Sequence, residues 1–175
     1  MGTIAVPETV KLIIGALAQT TRILDEARPL LESRFGPTDT ESAAFSFTFT
    51  TYYKAEMGVA LVKQFYSFSR PIEPMALASI KLATNGLERT FVRPDGHPGR
   101  GINLDPGYIT PAQLVLATTK NYSHRIAIGY GVYAEITLNY QKGAFHPLPW
   151  TYPDYQTELT RTYLERVRRV HLEQR

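Results

Sequence analysis

The sequence predicts an α/β domain of the α+β type: a ferredoxin-like βαββαβ core with a mainly antiparallel sheet, extended by a hairpin, an aromatic strap and a terminal helix. Three observations carry this. "VKLIIGALA" is a continuous apolar run of the kind buried on both faces of a sheet. "FSFTFT" alternates without a break, which is the period of a strand. Helical spacing occurs after the first of these runs and again further on, so strand, helix, strand, strand, helix, strand follow in order.

Val10–Ala18 supplies the first strand. Residues 20–35, "TTRILDEARPLLESRF", read as a helix stopped by Gly36-Pro37, with Pro29 kinking it or starting a second piece. In Phe45–Thr50 the phenylalanines face inward and Ser46, Thr48 and Thr50 outward; Val59–Phe68 is the third strand. The second helix runs from about Pro74 to Phe91, with Leu77, Ile80, Thr84, Leu87 and Phe91 on one face. Lys81, Asn85 and Glu88, at i, i+4 and i+7, make a polar stripe along its edge. "RPDGHPGRG" (Arg93–Gly101) is a Pro/Gly loop, "INLDPGYI" a strand that ends in an Asp105-Pro106-Gly107 turn, and "QLVLATT" a short buried element.

The remainder reads as an extension. "HRIAIG" and "VYAEITLNY" form a hairpin whose apolar sets, Ile126 and Ile128 against Val132, Ala134, Ile136 and Leu138, share a face only if paired numbers sum to an even value. The simplest loop is then the three residues Gly129-Tyr130-Gly131. That register sets Arg125 opposite Glu135 on the outer face and His124 opposite Ile136 on the apolar one. The Pro-rich strap Phe145–Tyr155 follows, and Asp154 is placed to cap the last helix. The division expected is a single domain over residues 1–175, with residues 1–120 the core and 121–175 the extension.

Composition narrows the classes. At 175 residues, 43% hydrophobic and 20% charged, the chain is in the globular range. Without cysteine, thiolate catalysis, Cys-ligated zinc and disulfides are excluded. The net charge of +3, concentrated in "ERVRRVHLEQR", permits a nucleic-acid partner without requiring one. The apolar run near the N-terminus is too short to span a bilayer and lacks the flanks of a signal peptide; Val6 stands where a myristoylation motif needs Ser or Thr. The expectation is a soluble cytoplasmic protein without a membrane partner. A split βαβ sheet leaves an edge that pairing would cover, so a homodimer is expected.

Standard nucleotide motifs, H-x-x-x-H and G-x-S-x-G are missing. Chemistry-bearing residues gather instead in one half. Asn103 and Asp105 lie at the end of the fourth core strand, Lys120, His124 and Arg125 at the start of the hairpin, and Glu135 across from Arg125. Carboxylate, imidazole and cation together suit phosphate binding, acid–base work or a divalent metal, with Asp105, His124 and Glu135 as the catalytic candidates. Each also has a plain structural reading: a turn, a cross-strand ion pair, a hydrogen-bonded histidine at a strand end. Lys81 and Asn85 join the ligand-binding candidates because asparagine on a solvated helix face gains nothing. Tyr52 and Tyr53, with Lys54 and Glu56, line a groove or cover a sheet edge. Trp150 and Tyr152 in the stiff strap suit a lid over a ligand or a packed belt.

The blocks "KLIIGALA", "FGPTDTES", "TYYKAEMG", "IKLATNGLE", "NLDPGYIT", "LVLATTKNYSHRI", "GVYAEITLNYQKGAF" and "LPWTYPDY" resemble, in this order, the prokaryotic domain-of-unknown-function 4416 family. The resemblance spans nearly the whole chain and implies a stand-alone domain of bacteria and archaea. It implies no reaction and carries over no catalytic residue. The leading expectation is binding of a small anionic ligand, a nucleotide or phosphorylated metabolite. Arg125, Lys120 and Lys81 would meet its charge, with Asn85 and Asn103 beside them and Trp150 and Tyr152 covering it. The alternatives are a non-catalytic module that docks protein or RNA, and a divalent-metal-dependent phosphoester hydrolase.

Overall fold

The computed structural model describes residues 2–175. Strand β1 (Lys11–Ala18) lies inside the sheet, all eight of its residues buried: the apolar run Leu12–Ala18 as its composition requires, and Lys11 by pairing with Asp39. It pairs antiparallel with β4 (Val62–Phe68) on one side and β5 (Ile102–Ile109) on the other. Short strands β2 (Thr38–Glu41) and β3 (Phe45–Ser46) pair with the outer edge of β4. Beyond β5 come β6 (Gln113–Thr118), then β8 (Val132–Gln141), which is flanked by β7 (Ile126–Gly129) and, on its far half, β9 (Ala144–Pro147). The mixed α/β class and the antiparallel sheet are as expected, but the sheet has nine strands where a four-stranded core extended by a two-stranded hairpin was expected.

Period-two alternation divides the core into two layers. Leu12, Ile14, Ala16 and Ala18 of β1 face helix α1 (Thr21–Phe35) through Ile23, Leu24, Ala27, Leu31 and Phe35, and helix α3 (Leu77–Glu88) through Ile80. Ile13 faces the other way, into a cluster with Phe65, Leu114 and Leu138 that α4 (Glu158–Glu173) seals with Tyr163, Leu164 and Val167. The single-turn α2 (Lys54–Met57) seats Met57 against Leu17 and Leu61. Helix α3 also packs Leu77 and Ala78 on Val115, Ala117 and Val132, so it bridges the β5–β6 junction.

Four local expectations need correction. Asp105-Pro106-Gly107 is no turn: all three residues lie within β5, opposite Gly15, Ile14 and Ile13 of β1. Pairing with the central strand overrides the local turn preference. "FSFTFT" is strand only at Phe45–Ser46, because its partner β4 starts at Val62; one further bond, Phe47 N–H to Leu61 C=O, continues the pairing. Asp154 does not cap α4. Thr157 does, accepting from the Thr160 amide, while Asp154 is buried against Lys63. Pro29 sits inside one continuous α1 and starts no second piece.

The junction of β5 and β6 is short. Only Gly107, Tyr108 and Ile109 pair, with Leu116, Val115 and Leu114. Residue Pro106 would come next and has no N–H to donate, so the ladder stops there and the strands splay apart. At Gly107 there is no room for a side chain: a Cβ there would fall 2.5 Å from Leu116 Cδ2 and closer still to the Val115 carbonyl. Gly107→Ala is therefore expected to destabilise the fold by about 1–3 kcal/mol, read as a lower urea midpoint with an unchanged m-value.

Candidate functional site

Where β6 leaves β5, the backbone of Leu104 faces the gap. Two side chains of α3 replace the missing strand: Lys81 Nζ donates to the Leu104 carbonyl at 2.8 Å, and the Leu104 amide donates to Glu88 Oε1 at 2.7 Å. Residues seven apart lie on one helix face, so one helix rotation serves both groups. This accounts for two members of the polar stripe. Lys81 also reaches Asp105 Oδ1 at 3.4 Å, and Asn103 Nδ2 donates to Asp105 Oδ2 at 2.7 Å.

The splay opens into a cavity of about 850 Å³ between α3 on one side and the strap on the other. Of the residues singled out by sequence, Lys81, Asn85, Asn103, Asp105, Lys120, Arg125, Glu135 and Tyr152 line it. His124 and Trp150 do not; they stand behind the wall. His124 Nε2 is 3.1 Å from Glu135 Oε2, and its ring stacks on Trp150 with centroids 4.7 Å apart.

Glu135 reaches the cavity through a β-bulge. Leu114 pairs with Leu138 but Val115 with Ile136, leaving Thr137 as an extra residue on β8. The bulge reverses alternation: Glu135 joins Leu116 and Leu138 on the α4 side, and Ile136 is displaced to the other. The hairpin register holds, since Ile126 faces Ala134 and Arg125 Nε meets Glu135 Oε2 at 2.7 Å. The outer-face assignment is overturned. Glu135 is only 3% exposed, because the strap covers that side. The turn is the two residues Tyr130-Gly131, both with positive φ, with a bulge at Ile128 restoring the register. His124 does not oppose Ile136: with Ser123 it forms a turn before β7, where strand alternation does not apply.

Arg125 ties the wall together, donating from Nη1 to the Lys120 carbonyl at 3.0 Å and from Nη2 to the Tyr152 hydroxyl at 2.7 Å. Burial, aided by the charge of Glu135, pushes the Tyr152 phenol up to about 12. The strap is a belt. Trp150 Nε1 donates to the Ile136 carbonyl at 2.8 Å, and the Thr151 hydroxyl is 2.5 Å from the Thr137 carbonyl, which it binds. At the mouth, Lys120 Nζ is 2.6 Å from the Tyr52 hydroxyl and 3.9 Å from the centre of its ring. Tyr52, Tyr53 and Glu56 thus line a cavity rather than cover an edge.

Sequence reading missed Lys63, Asp154 and Tyr155, which also line the cavity. Lys63 and Asp154 form a buried ion pair, and the ammonium lies 4.6 Å from the Tyr155 ring centre and 4.9 Å from that of Phe65. The available signal was a lysine inside a largely apolar, aromatic strand, "LVKQFYSF". Arg100 was missed as well; it bridges Glu88 and Glu56. Burial outweighs its cationic neighbours and raises the Glu88 carboxyl above 4.5.

Taken together, the lining holds the cations Lys63, Lys81, Arg89, Arg100, Lys120 and Arg125 against the carboxylates Glu56, Glu88, Asp105, Glu135 and Asp154, a surplus of one positive charge. Among the described residues no group of three or more His, Asp or Glu is gathered to hold a metal ion. Glu135 is already engaged by Arg125, His124 and the Thr137 hydroxyl. The arrangement suits charge recognition and hydrogen bonding between aromatic walls.

Two predictions follow from these contacts. Glu135→Ala leaves Arg125 without its carboxylate in a largely covered position, and is expected to cost about 3 kcal/mol by chemical denaturation, beyond the range of a surface ion pair. The second concerns pH. A carboxyl whose folded pKa is raised binds its proton more readily when folded, so its contribution to stability is present below the unfolded value of 4.5 and is lost as pH rises through the folded value. Between about pH 4 and about pH 7 the melting temperature of wild type should therefore decline relative to that of Glu88→Gln. A constant difference across that range would contradict it.

Comparison with known families matches residues 8–171 to the family described as a domain of unknown function, DUF4416. No curated protein and no solved structure gives a significant match. Among the described residues no helix is long and apolar enough to cross a membrane. With nearly its whole length matched, the chain belongs to the DUF4416 family.

Proposed function

We propose that the protein binds a small anionic ligand, a nucleotide or another phosphorylated metabolite, in the cavity between β5 and β6. The observation that carries this reading is Lys120. It lies at the mouth against the face and hydroxyl of Tyr52, and makes no ion pair among the described residues. It is a cation held in place with its charge uncompensated. Arg125, with donors to spare after its three contacts, stands beside it. The volume of about 850 Å³ suits a ligand of nucleotide size. Tyr52, Tyr53 and Tyr152 offer faces on which a base or sugar stacks.

The strand order β2-β4-β1-β5, with α1 and α3 on one face, supports reading residues 1–120 as a ferredoxin-like core to which the remainder was added. A phosphoester hydrolase with a metal on Asp105, His124 and Glu135 is less favoured, since Glu135 already serves other partners. A docking module built on the strap is less favoured too, since Trp150 and Tyr152 are fastened to the sheet.

Calorimetric titration of wild type and Lys120→Ala with inorganic phosphate and adenosine 5′-monophosphate tests the reading. Wild type should bind both, the nucleotide more tightly. The loss of one charge-assisted contact should weaken both by about tenfold in Lys120→Ala. Silence from wild type, or equal affinities in the two proteins, would refute it.

A further inference from the structure

The cavity wall holds a hydroxyl with nothing to bond. The Tyr155 hydroxyl, on a residue only 2% exposed, has no hydrogen-bond partner among the described residues. Buried hydroxyls are almost always paired, and leaving one unpaired works against folding. The hydroxyl lies over Gly15, 3.2 Å from where a Cβ would stand, and glycine there is what makes room for it. Directly opposite Gly15 on β5 is Asp105. Side chains of directly opposed residues leave the sheet about 5 Å apart on the same face, so the Asp105 carboxylate rises beside the point that Tyr155 overhangs.

Asp105 presents the converse situation. One oxygen accepts from Asn103 and the other, at 3.4 Å, from Lys81, and the side chain keeps 31% of its surface open. A carboxylate has more lone pairs than these contacts use. A donor without an acceptor and an acceptor with spare capacity therefore flank one place in the wall of the cavity. A hydroxyl group is the simplest ligand atom that completes both, accepting from Tyr155 while donating to Asp105.

We infer that this part of the cavity is a hydroxyl subsite: Tyr155 and Asp105 bind the sugar or polyol portion of the anion whose charge Lys120 meets. The inference rests on the anion-binding reading above and narrows its ligand class to phosphorylated, hydroxyl-bearing molecules. It also explains why the fold keeps an unpaired phenol. A group held for a ligand costs the empty protein stability.

Ribose 5-phosphate and inorganic phosphate, titrated into wild type, Tyr155→Phe and Asp105→Asn, test it. Both variants should weaken ribose 5-phosphate by about tenfold or more, and Tyr155→Phe should leave phosphate within about twofold while its ligand-free form melts no lower than wild type. Unchanged affinity of Tyr155→Phe for ribose 5-phosphate would overturn the inference. So would a ligand-free Tyr155→Phe that melts several degrees lower, because the hydroxyl would then already be serving the fold. Wild type that binds the two probes equally tightly removes the hydroxyl subsite but leaves the anion site standing. Wild type that binds neither removes both.

Discussion

The structure turns on the backbone of one residue, Leu104. A strand that has lost its neighbour must find partners for its amide and carbonyl or bear the cost of burying them bare. Lys81 and Glu88 supply those partners from a helix, and so allow β6 to part from β5. Had the pairing continued in register, Ala117 would stand opposite Pro106 and Thr118 opposite Asp105, and no cavity would open. Pro106 ends the ladder by lacking a donor, Gly107 allows close approach just before the break, and α3 closes over the gap. The rotation that aims Lys81 and Glu88 at Leu104 also turns Asn85 toward the cavity.

Most of the charge around the cavity is distributed in pairs. Lys63 meets Asp154, Lys81 meets Asp105, Arg100 meets Glu88 and Glu56, and Arg125 meets Glu135. Buried pairs of this kind contribute little net stability, since desolvation offsets most of the attraction. Their effect is to fix directions: each carboxylate holds a cation at a set angle, and the rings of Tyr155, Phe65 and Phe47 around Lys63 do the same for its ammonium. Lys120 differs in kind. Its restraint comes from Tyr52, so its position is fixed while its charge remains available to a ligand.

The far wall depends on two irregularities that cooperate. The extra residue Thr137 turns Glu135 inward, and the strap seals the face so exposed by bonding to the carbonyls of the bulge itself, Ile136 through Trp150 and Thr137 through Thr151. Trp150 and His124 then back Glu135 from behind, and Glu135 holds Arg125. The aromatic strap is therefore part of the wall, and only Tyr152 and its neighbours Pro153, Asp154 and Tyr155 reach the space inside.

The sequence by itself determined what depends on periodicity. A continuous apolar run made β1 an interior strand, helical spacing placed α1 and α3, and the parity of apolar positions set Arg125 against Glu135. It also gathered most of the polar candidates that line the cavity, because they cluster at element ends and along one helix edge. Only the tertiary structure decided which way those residues face. Asp105-Pro106-Gly107 has the local preference of a turn, yet pairing along the whole of β1 holds it extended. Glu135 has the parity of a solvent-facing residue, yet one unpaired threonine and a belt of rings put it inside. Lys63 and Asp154, far apart in the chain, carry no shared pattern at all. Alternation is a property of the local backbone and so is written in the chain. Whether a face meets water or another layer depends on what packs there, which is a long-range contact.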